Sequence, residues 1–343
     1  MGSPLRRLTA ATAAALVLAG GPFLASCSPD PAADKQTIEP ATPAASPPVT
    51  QAIPGTVRRL DSPVDFLVTD AQTGTAAAIG TNRSTLLLID AHDPAAPLRP
   101  VSLAAPAQGL AAGKPGEFLV PAGDTVIRVD VATGATTDVP SGGGAVSATW
   151  LPDGLLALGS ADGKIRFVDS NAQSANEIDG LVSVDGLAVV GDSLVALDRR
   201  QSSVTAVDVQ DRSLGLSLRA GNGATNLAGD RFGRVVVTDT NGGSLLAFTV
   251  EPLLLHQRYP VGSSPYAVAV DDRSGIVWLT STATNEVVGY DLSSGIPQET
   301  ARFPTVRQPN TLAVDPATGA LLVGSGAGDG LQTIEANTAQ GGR

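Results

Sequence analysis

Two carboxylates, three amides and one phenol occupy matching or directly adjacent places in different copies of a repeat about 40 residues long. They are Asp65, Gln108, Asp185, Asn226, Tyr266 and Asn310. Such side chains donate and accept hydrogen bonds, which suits the binding of a sugar, a peptide or a cation. Asp, Asn and Thr are also common in turns, where they satisfy the backbone. The sequence leaves a binding role and a turn role open for this set.

No motif in the sequence points to a particular reaction. It contains no G-x-S-x-G nucleophile turn and no glycine-rich phosphate or dinucleotide loop followed by a helix. The two histidines, His92 and His256, lie in a turn and an outer strand, which predicts surface positions. Cys27 is the only cysteine, so an intramolecular disulfide and a cysteine-based zinc site are excluded.

The elements that position these side chains are short strands. Each repeat contains three apolar strands of four to six residues and, in most copies, a polar outer strand. The repeats begin 38 to 44 residues apart, at Val64, Ala107, Ala145, Val184, Ala224, Pro265 and Pro309. Short runs rich in Val and Leu are typical of strands buried between neighbouring sheets. The sequence therefore predicts an all-β fold, a seven-bladed β-propeller over residues 56–337.

The two ends of the repeat region predict how the ring closes. The seventh repeat lacks an outer strand, and residues 55–61 precede the first inner strand. We expect the N-terminal segment to supply the missing strand, a 3+1 closure that leaves no free sheet edge. Residues 338–343 are expected to form a disordered tail. In such a ring the six side chains above would stand at the mouth of the central channel.

Acidic residues recur at the end of the third strand of most repeats. They are Asp90, Asp130, Asp169, Asp208 and Asp291. An Asp at this point can accept hydrogen bonds from the backbone of the turn that follows. We interpret this row as structural, because an acid repeated in many units does not define a single active site.

The N-terminus has the pattern of an export signal. Arg6 and Arg7 precede a short apolar run, and Leu24-Ala25-Ser26-Cys27 resembles a bacterial lipobox. Residues 1–26 are predicted to be a lipoprotein signal peptide and Cys27 to be lipidated. Residues 27–55 then carry seven prolines and no hydrophobic periodicity, which predicts a disordered tether. The expected location is the outer face of the cell membrane, with the membrane as a partner through the lipid.

Composition and charge exclude some partners. The net charge is −11, and removal of residues 1–26 would take it to −13. An acidic body is repelled by nucleic acid, so we expect no nucleic-acid partner.

Two resemblances extend these expectations. The segments PYAVAVDDRSGIVWLTSTATNEVVGYDLSSG and PNTLAVDPATGALLVGSGAGDGLQTIE resemble the YVTN and NHL-type repeats of secreted bacterial propellers. The lipobox, the TIEPATPAASPPVTQ linker and the acidic repeats together resemble the LppL-type lipoproteins of mycobacteria and their actinobacterial relatives. These resemblances imply a propeller fold and a lipid-anchored location, and no activity.

The sequence supports two functional hypotheses. The first is a monomeric binding or scaffold module for an envelope protein, a cell-wall glycan or a small solute, with no cofactor. The second is a metal-dependent hydrolase, because Asp65, Asp185, Asn226 and Asn310 carry hard oxygen donors. That set resembles in part the divalent-ion site of SMP-30-type lactonases, but the Glu of that family has no counterpart here.

Overall fold

The computed structural model describes Gly2 and residues 35–169 and 174–336, and almost all of its regular structure is β-strand. The predicted signal peptide, the lipidation site at Cys27 and the C-terminal tail lie outside these residues. Within the described ranges, no helix has the length and hydropathy that crossing a membrane requires.

The strands form a ring of six hydrogen-bonded sheets. The first contains β2 (Val64–Thr69), β3 (Thr75–Gly80), β4 (Thr85–Asp90) and β5 (Arg99–Ser102). The second contains β6 (Ala111–Ala112), β7 (Glu117–Asp130), β8 (Thr136–Trp150), β9 (Leu156–Ser160), β10 (Ile165–Val168) and β11 (Ser174–Ile178). The third contains β12 (Gly186–Val190), β13 (Ser193–Asp198), β14 (Ser203–Asp208) and β15 (Ser213–Arg219).

The other three sheets have four strands each. The fourth contains β16 (Ala224–Gly229), β17 (Arg234–Asp239), β18 (Ser244–Val250) and β19 (Leu253–Pro260). The fifth contains β20 (Pro265–Asp271), β21 (Ile276–Ser281), β22 (Glu286–Asp291) and β23 (Gln298–Pro304). The sixth contains β24 (Pro309–Val314), β25 (Leu321–Ser325), β26 (Leu331–Ile334) and β1 (Thr56–Arg58). Contacts between neighbouring sheets run round the whole circle, so the fold is a β-propeller.

The prediction of seven blades is wrong, because the sheets number six. The repeats that begin at Ala107 and Ala145 share the six-stranded second sheet. Strand β7 reverses direction near Gly123, since the N–H of Val131 donates to the carbonyl of Gly116 at 2.9 Å. Gly123 also pairs with Ala145, which joins the two repeats in one ladder. The number of repeats in the sequence therefore exceeds the number of separate sheets.

The ring closes as the sequence predicts. Strand β1 pairs antiparallel with β26, and Val57 lies opposite Gln332. The N-terminal strand thus completes the sheet made by the last three strands. The outer edge of β26 is covered, which removes an unpaired strand edge from the seam.

Apolar contacts between neighbouring sheets form the core. The second strand of each sheet is buried on both faces, as in RVVVTD of β17, whereas outer strands such as β19 and β23 are largely exposed. A typical cluster joins Val195 and Leu197 of the third sheet to Val235, Val237 and Phe248 of the fourth. Short strands of Val, Leu and Ile can bury both faces because each sheet lies between two others.

Residues 35–54 follow a defined course along the ring, which differs from the disordered tether expected from the sequence. We call this segment the strap. Its backbone bonds to three of the sheets: Ile38 N–H to Arg200 O at 2.7 Å, Ala44 N–H to Ser264 Oγ at 3.0 Å, and Ser46 N–H to Gln308 Oε1 at 2.9 Å. These partners precede inner strands or follow second strands, so the strap lies on the channel-mouth face. Residues 27–34 lie outside the described part of the chain.

The mouth of the central channel as the candidate functional site

All six predicted binding residues line one central cavity of about 480 Å³. Asp65, Gln108, Asp185, Asn226, Tyr266 and Asn310 reach it from six different repeats. The cavity volume lies within the range of about 300–1,000 Å³ that is usual for small-molecule sites. The structure therefore brings the set together at the place the repeat alignment indicated, and ligand binding by it stays a prediction.

A β-bulge at the start of the inner strand aims three of these six side chains. In β2, Val64 pairs with Gly80 and Phe66 with Ile79, so Asp65 is the extra residue. The same skip occurs in three further inner strands and leaves out Val146, Thr225 and Asn310, while β20 skips both Tyr266 and Ala267. A bulge releases one residue from the ladder and redirects its side chain, commonly beside a binding site. The bulges thus account for the placement of Asp65, Tyr266 and Asn310, whereas Gln108, Asp185 and Asn226 reach the channel without being the skipped residue.

The charged groups of the cavity are largely balanced. The carboxylate of Asp65 accepts from Arg83 Nε at 3.2 Å. The Oδ2 atom of Asp185 accepts from Ser183 Oγ at 2.6 Å and from the Arg199 N–H at 2.8 Å. These bonds fix both carboxylates at the rim, and Asp65 is also paired with the positive charge of Arg83.

The amide side chains form hydrogen bonds within the protein and still face the cavity. Asn226 Nδ2 donates to Tyr266 O at 3.0 Å, and Asn310 Oδ1 accepts from Gln308 Nε2 at 3.0 Å. An amide has two donor hydrogens and two acceptor lone pairs, so each side chain keeps capacity for a ligand. The binding and turn interpretations are thus compatible for these residues.

Sequence reasoning missed Arg199, whose side chain also lines the cavity. It follows the last residue of β13, and its Nη2 donates to the strap carbonyl of Ala41 at 2.8 Å. Its Nε–H is buried without a hydrogen-bond partner in the described structure. Within the described ranges no carboxylate lies within ion-pair distance of this guanidinium. Arg199 therefore gives the mouth a cation that the alignment did not show.

A second set of recurring residues, also not recognised from the sequence, holds the loops around the channel mouth in place. Buried Asp or Ser ends the second strand in several repeats: Ser160, Asp198, Asp239, Ser281 and Ser325. Asp239 Oδ1 accepts from the N–H groups of Asn222 and Gly223, and Ser325 Oγ donates to Arg307 O at 2.6 Å. The recurrence of Asp or Ser after an apolar second strand was visible in the sequence. Side chains at these positions form hydrogen bonds with the loop that precedes the inner strand.

The acidic residues at the ends of the third strands have a structural role wherever their hydrogen bonds to the following turn are seen. Asp90 accepts from the N–H groups of His92 and Asp93, and Asp208 from those of Gln210 and Asp211. Asp130 accepts from Thr133 Oγ1 at 2.6 Å and from the Thr133 N–H at 2.8 Å, and these bonds lower the pKa of Asp130. The interpretation made from the sequence is confirmed for these residues.

The residues at the mouth do not fit a metal centre. Within the described ranges no group of three or more His, Cys, Asp or Glu side chains lies close enough to hold an ion. Of the four oxygen donors proposed from the sequence, Asp65 is committed to Arg83 and Asn310 Oδ1 to Gln308. A divalent ion usually has about six or more oxygen ligands, and these four side chains, two of which already have other partners, would fill only part of that shell.

Solved structures of other proteins share this fold. The chain is similar to the hydrazine synthase of Kuenenia stuttgartiensis, with a TM-score of 0.69 and 13% identity over 83% of this chain and 99% of that chain. It is similar to a streptogramin B lyase, with a TM-score of 0.68 and 11% identity over 81% and 96%. A virginiamycin B lyase from Staphylococcus aureus gives 0.66 and 11% over 81% and 96%. At such low identity these likenesses show the propeller fold alone.

Sequence comparison adds no family. No protein-family model matches the chain, and no curated protein matches it in sequence. The resemblances to YVTN and NHL-type repeats and to LppL-type lipoproteins therefore stay predictions.

Proposed function

We propose that this protein is a lipid-anchored, extracytoplasmic binding module that takes a ligand at the mouth of its propeller channel. The observation that carries the proposal is the convergence of six polar side chains, from six repeats, on one cavity. Their sequence separation makes this convergence a property of the ring rather than of one loop.

The chemistry of the lining favours a hydroxyl-rich ligand such as a cell-wall glycan. Gln108, Asn226 and Asn310 offer planar amides, and Tyr266 offers an aromatic ring with a hydroxyl. Amides and carboxylates pair with sugar hydroxyls through matched donors and acceptors, and an aromatic ring covers an apolar sugar face. A cavity of about 480 Å³ fits a short glycan segment better than a folded protein partner.

A binding titration with cell-wall glycan fragments tests the site. We expect Gln108→Ala and Tyr266→Ala each to weaken binding by about tenfold, which corresponds to about 1.4 kcal/mol and to one lost hydrogen bond or ring contact. Gln298→Ala, on the exposed outer strand β23, is the matched control and should bind like the natural protein. Binding that is equally strong in all three variants would place the ligand elsewhere.

The anchor is tested at Cys27. The residue follows small residues and an apolar run, which is the pattern that predicts lipidation. We expect the natural protein to incorporate a clickable fatty acid and to sediment with membranes, and Cys27→Ala to lose both properties. If Cys27→Ala still incorporated the fatty-acid label, the lipid would be attached at a residue other than Cys27, and the lipobox prediction would be wrong.

The lipoprotein type is part of the proposal. The lipobox, the proline-rich linker and the acidic repeats support membership of the LppL-like actinobacterial lipoproteins. The hydrolase alternative has weaker support, because the mouth residues do not form a metal-binding set.

A further inference from the structure

Three leucines are exposed on two neighbouring outer strands. Leu216 in β15 and Leu254 in β19 each keep 52% of their surface exposed, and Leu255 keeps 45%. Strands β15 and β19 belong to adjacent sheets and contact each other at the rim of the ring. We call this surface the leucine edge. Large apolar side chains exposed on neighbouring strands indicate a surface that meets another apolar phase.

The chain leaves the described structure beside this edge. Lys35, the first residue of the strap, donates from Nζ to the carbonyl of Gly180. Gly180 lies against Leu214 of β15, since a Cβ built on it would be 3.0 Å from Leu214 Cδ1. The strap thus begins at the loop after β11, and this loop packs against the outer strand that carries Leu216.

Covalent length keeps the anchor close to the edge. Only eight residue steps separate Cys27 from Lys35, which limits their separation to about 28 Å at 3.3–3.6 Å per residue. A tether that stayed free to residue 55 would allow about three and a half times that distance. The docked strap therefore restricts how far the leucine edge can stand from a lipid attached to Cys27.

Local charge is compatible with a phospholipid surface although the whole chain is acidic. The basic groups near the strap start and on the two outer strands are Lys35, Arg200, Arg219 and Arg258. Arg258 lies 3.8 Å from buried Asp239, and Arg212 lies in the turn before β15. The acidic groups beside them are Glu39 and Asp179, and the turns at the far end of the edge hold Asp208, Asp211 and Glu251. The half of the edge near the strap is thus the more basic half, and basic groups near anionic headgroups favour membrane contact.

We infer that the leucine edge rests on the outer leaflet of the membrane to which the protein is anchored. This inference rests on the proposed lipidation of Cys27. Contact through the edge would hold the ring axis close to the membrane plane, so that the channel mouth opens sideways rather than toward or away from the bilayer. A ligand would then reach the mouth along the membrane surface.

Fluorescence quenching by brominated lipids tests the inference. In the lipidated protein the thiol of Cys27 is consumed, so an introduced cysteine is the only free thiol. Leu254→Cys labelled with bimane is compared with Ser102→Cys, an exposed position on outer strand β5 across the ring. The labelled proteins are reconstituted in vesicles of phosphatidylcholine with a minority of phosphatidylglycerol. We expect emission at position 254 to fall about twofold and emission at 102 to stay nearly constant, because only an interfacial group meets the bromines.

A second variant links the signal to the leucines. Leu216→Glu with Leu255→Glu should restore emission at position 254 to the level of the control while the melting temperature stays unchanged. Equal quenching at 254 and 102 in the anchored protein would overturn the inference. Quenching of 254 only when the protein sediments as a dimer would also overturn it, since the edge would then cover a second copy.

The anchor and the edge can fail separately. Protein that does not join the vesicles at all contradicts the lipid anchor. In that case the chain with Cys27→Ala and an N-terminal histidine tag is held on nickel-chelating lipid, and the same two positions are compared. Quenching at 254 alone would support the edge, and equal signals would overturn it.

Discussion

His92 and Asp315 connect the first and last sheets of the ring. The Nε2 atom of His92 lies 2.8 Å from Asp315 Oδ2, and the Asp315 side chain is only 1% exposed. Burial alone would raise the pKa of Asp315, but hydrogen bonds from Thr318 and the Ala317 N–H, together with His92, hold that pKa below its usual value. The sequence predicted a plain surface position for His92, because the Asp315 partner is 223 residues away.

We expect Asp315 to make the fold sensitive to acid. Its folded pKa is depressed, so its stabilisation is present above the unfolded pKa of about 3.9 and is lost as the pH falls through the folded pKa. Asp315→Asn should lower the unfolding free energy at pH 7 by about 1–3 kcal/mol, because a buried charged hydrogen-bond set is broken. The measurement is denaturant unfolding between about pH 7 and pH 2.

Asp291→Asn is the matched control for this prediction. Asp291 is a turn acid that accepts from the Ser293 N–H at 2.8 Å, and it is far less buried. Asp291→Asn should lower the unfolding free energy by less than Asp315→Asn does. The same acid-dependent loss in natural protein and in Asp315→Asn would show that other carboxyl groups control the response.

At the residue scale the sequence identified which slot faces the channel but not how the side chains are aimed. The repeat alignment selects Asp65 and Asn310 because each stands at the same offset. The bulges that redirect them depend on pairing with the second strand, as when Thr311 pairs with Gly324 and Asn310 is skipped. Arg199 escaped the alignment because it lies in a different loop and reaches the cavity only in the folded ring.

The strap shows why composition misjudged one element. Proline-rich segments have no internal hydrogen bonds, so their backbone groups are free to bond to any surface of suitable shape. Three of the residues that receive the strap, Ser264, Asn285 and Gln308, are in the left-handed region with φ of 57°, 55° and 57°. Asn285 Nδ2 donates to Pro47 O at 2.8 Å, and Gln308 Nε2 donates to Ala44 O at 3.0 Å. Nothing in residues 35–54 alone reveals these distant partners.

We expect Gln308→Ala to loosen the strap. The substitution removes the acceptor of the Ser46 N–H and the donor to the Ala44 carbonyl. Loss of about 1.4 kcal/mol of local stability should make amide exchange in residues 42–50 about tenfold faster. Hydrogen exchange followed by mass spectrometry measures this, with the Ile38 region as an internal reference, since its bond goes to Arg200.

Gln298→Ala serves as the control, because Gln298 lies on the exposed strand β23 away from the strap. It should leave exchange in the strap unchanged. Unaltered exchange in Gln308→Ala would mean that the other strap contacts suffice to hold the segment.

For the whole molecule, the sequence predicted the ring and its closure but not the number of sheets. Periodicity shows how many repeats exist, whereas the sheet count depends on which strands share hydrogen bonds. The run Ser141-Gly142-Gly143-Gly144, whose three glycines have positive φ, lies where β8 passes from one repeat to the next. Gly123 and Ala145 pair across this passage and merge the two repeats.

The closure rests on two glycines that bracket β1. A Cβ on Gly55 would lie 1.9 Å from Thr333 O, and a Cβ on Gly330 would lie 2.2 Å from Arg58 O. We expect Gly55→Ala to lower the unfolding free energy by about 2–4 kcal/mol, because the positive φ of 76° is strained and β1 is pushed off β26. Calorimetry should show a melting temperature lower by several degrees.

Gly233→Ala is the control that separates the backbone strain of a positive φ from the steric clash of an added Cβ. Gly233 has a φ of 83°, but a Cβ added to it would meet no atom within 4 Å, so the substitution carries only the strain of positive φ. It should cost about 1–2 kcal/mol. An equal loss for the two variants would indicate that the contact of Gly55 with Thr333 does not limit closure.

The strap stands between the proposed anchor at Cys27 and the closing strand in the order of the chain, and this order has a mechanical consequence. Any pull on Cys27 is transmitted to Lys35 first, then along the bonds to Arg200, Ser264 and Gln308, and only afterwards to Thr56. These bonds lie one after another along the strap. Tension would therefore break them one at a time, in order from Lys35. The seam of the ring would bear load only after the contacts of the strap are broken, so the strap would protect the propeller from a force applied at the N-terminal side of Lys35.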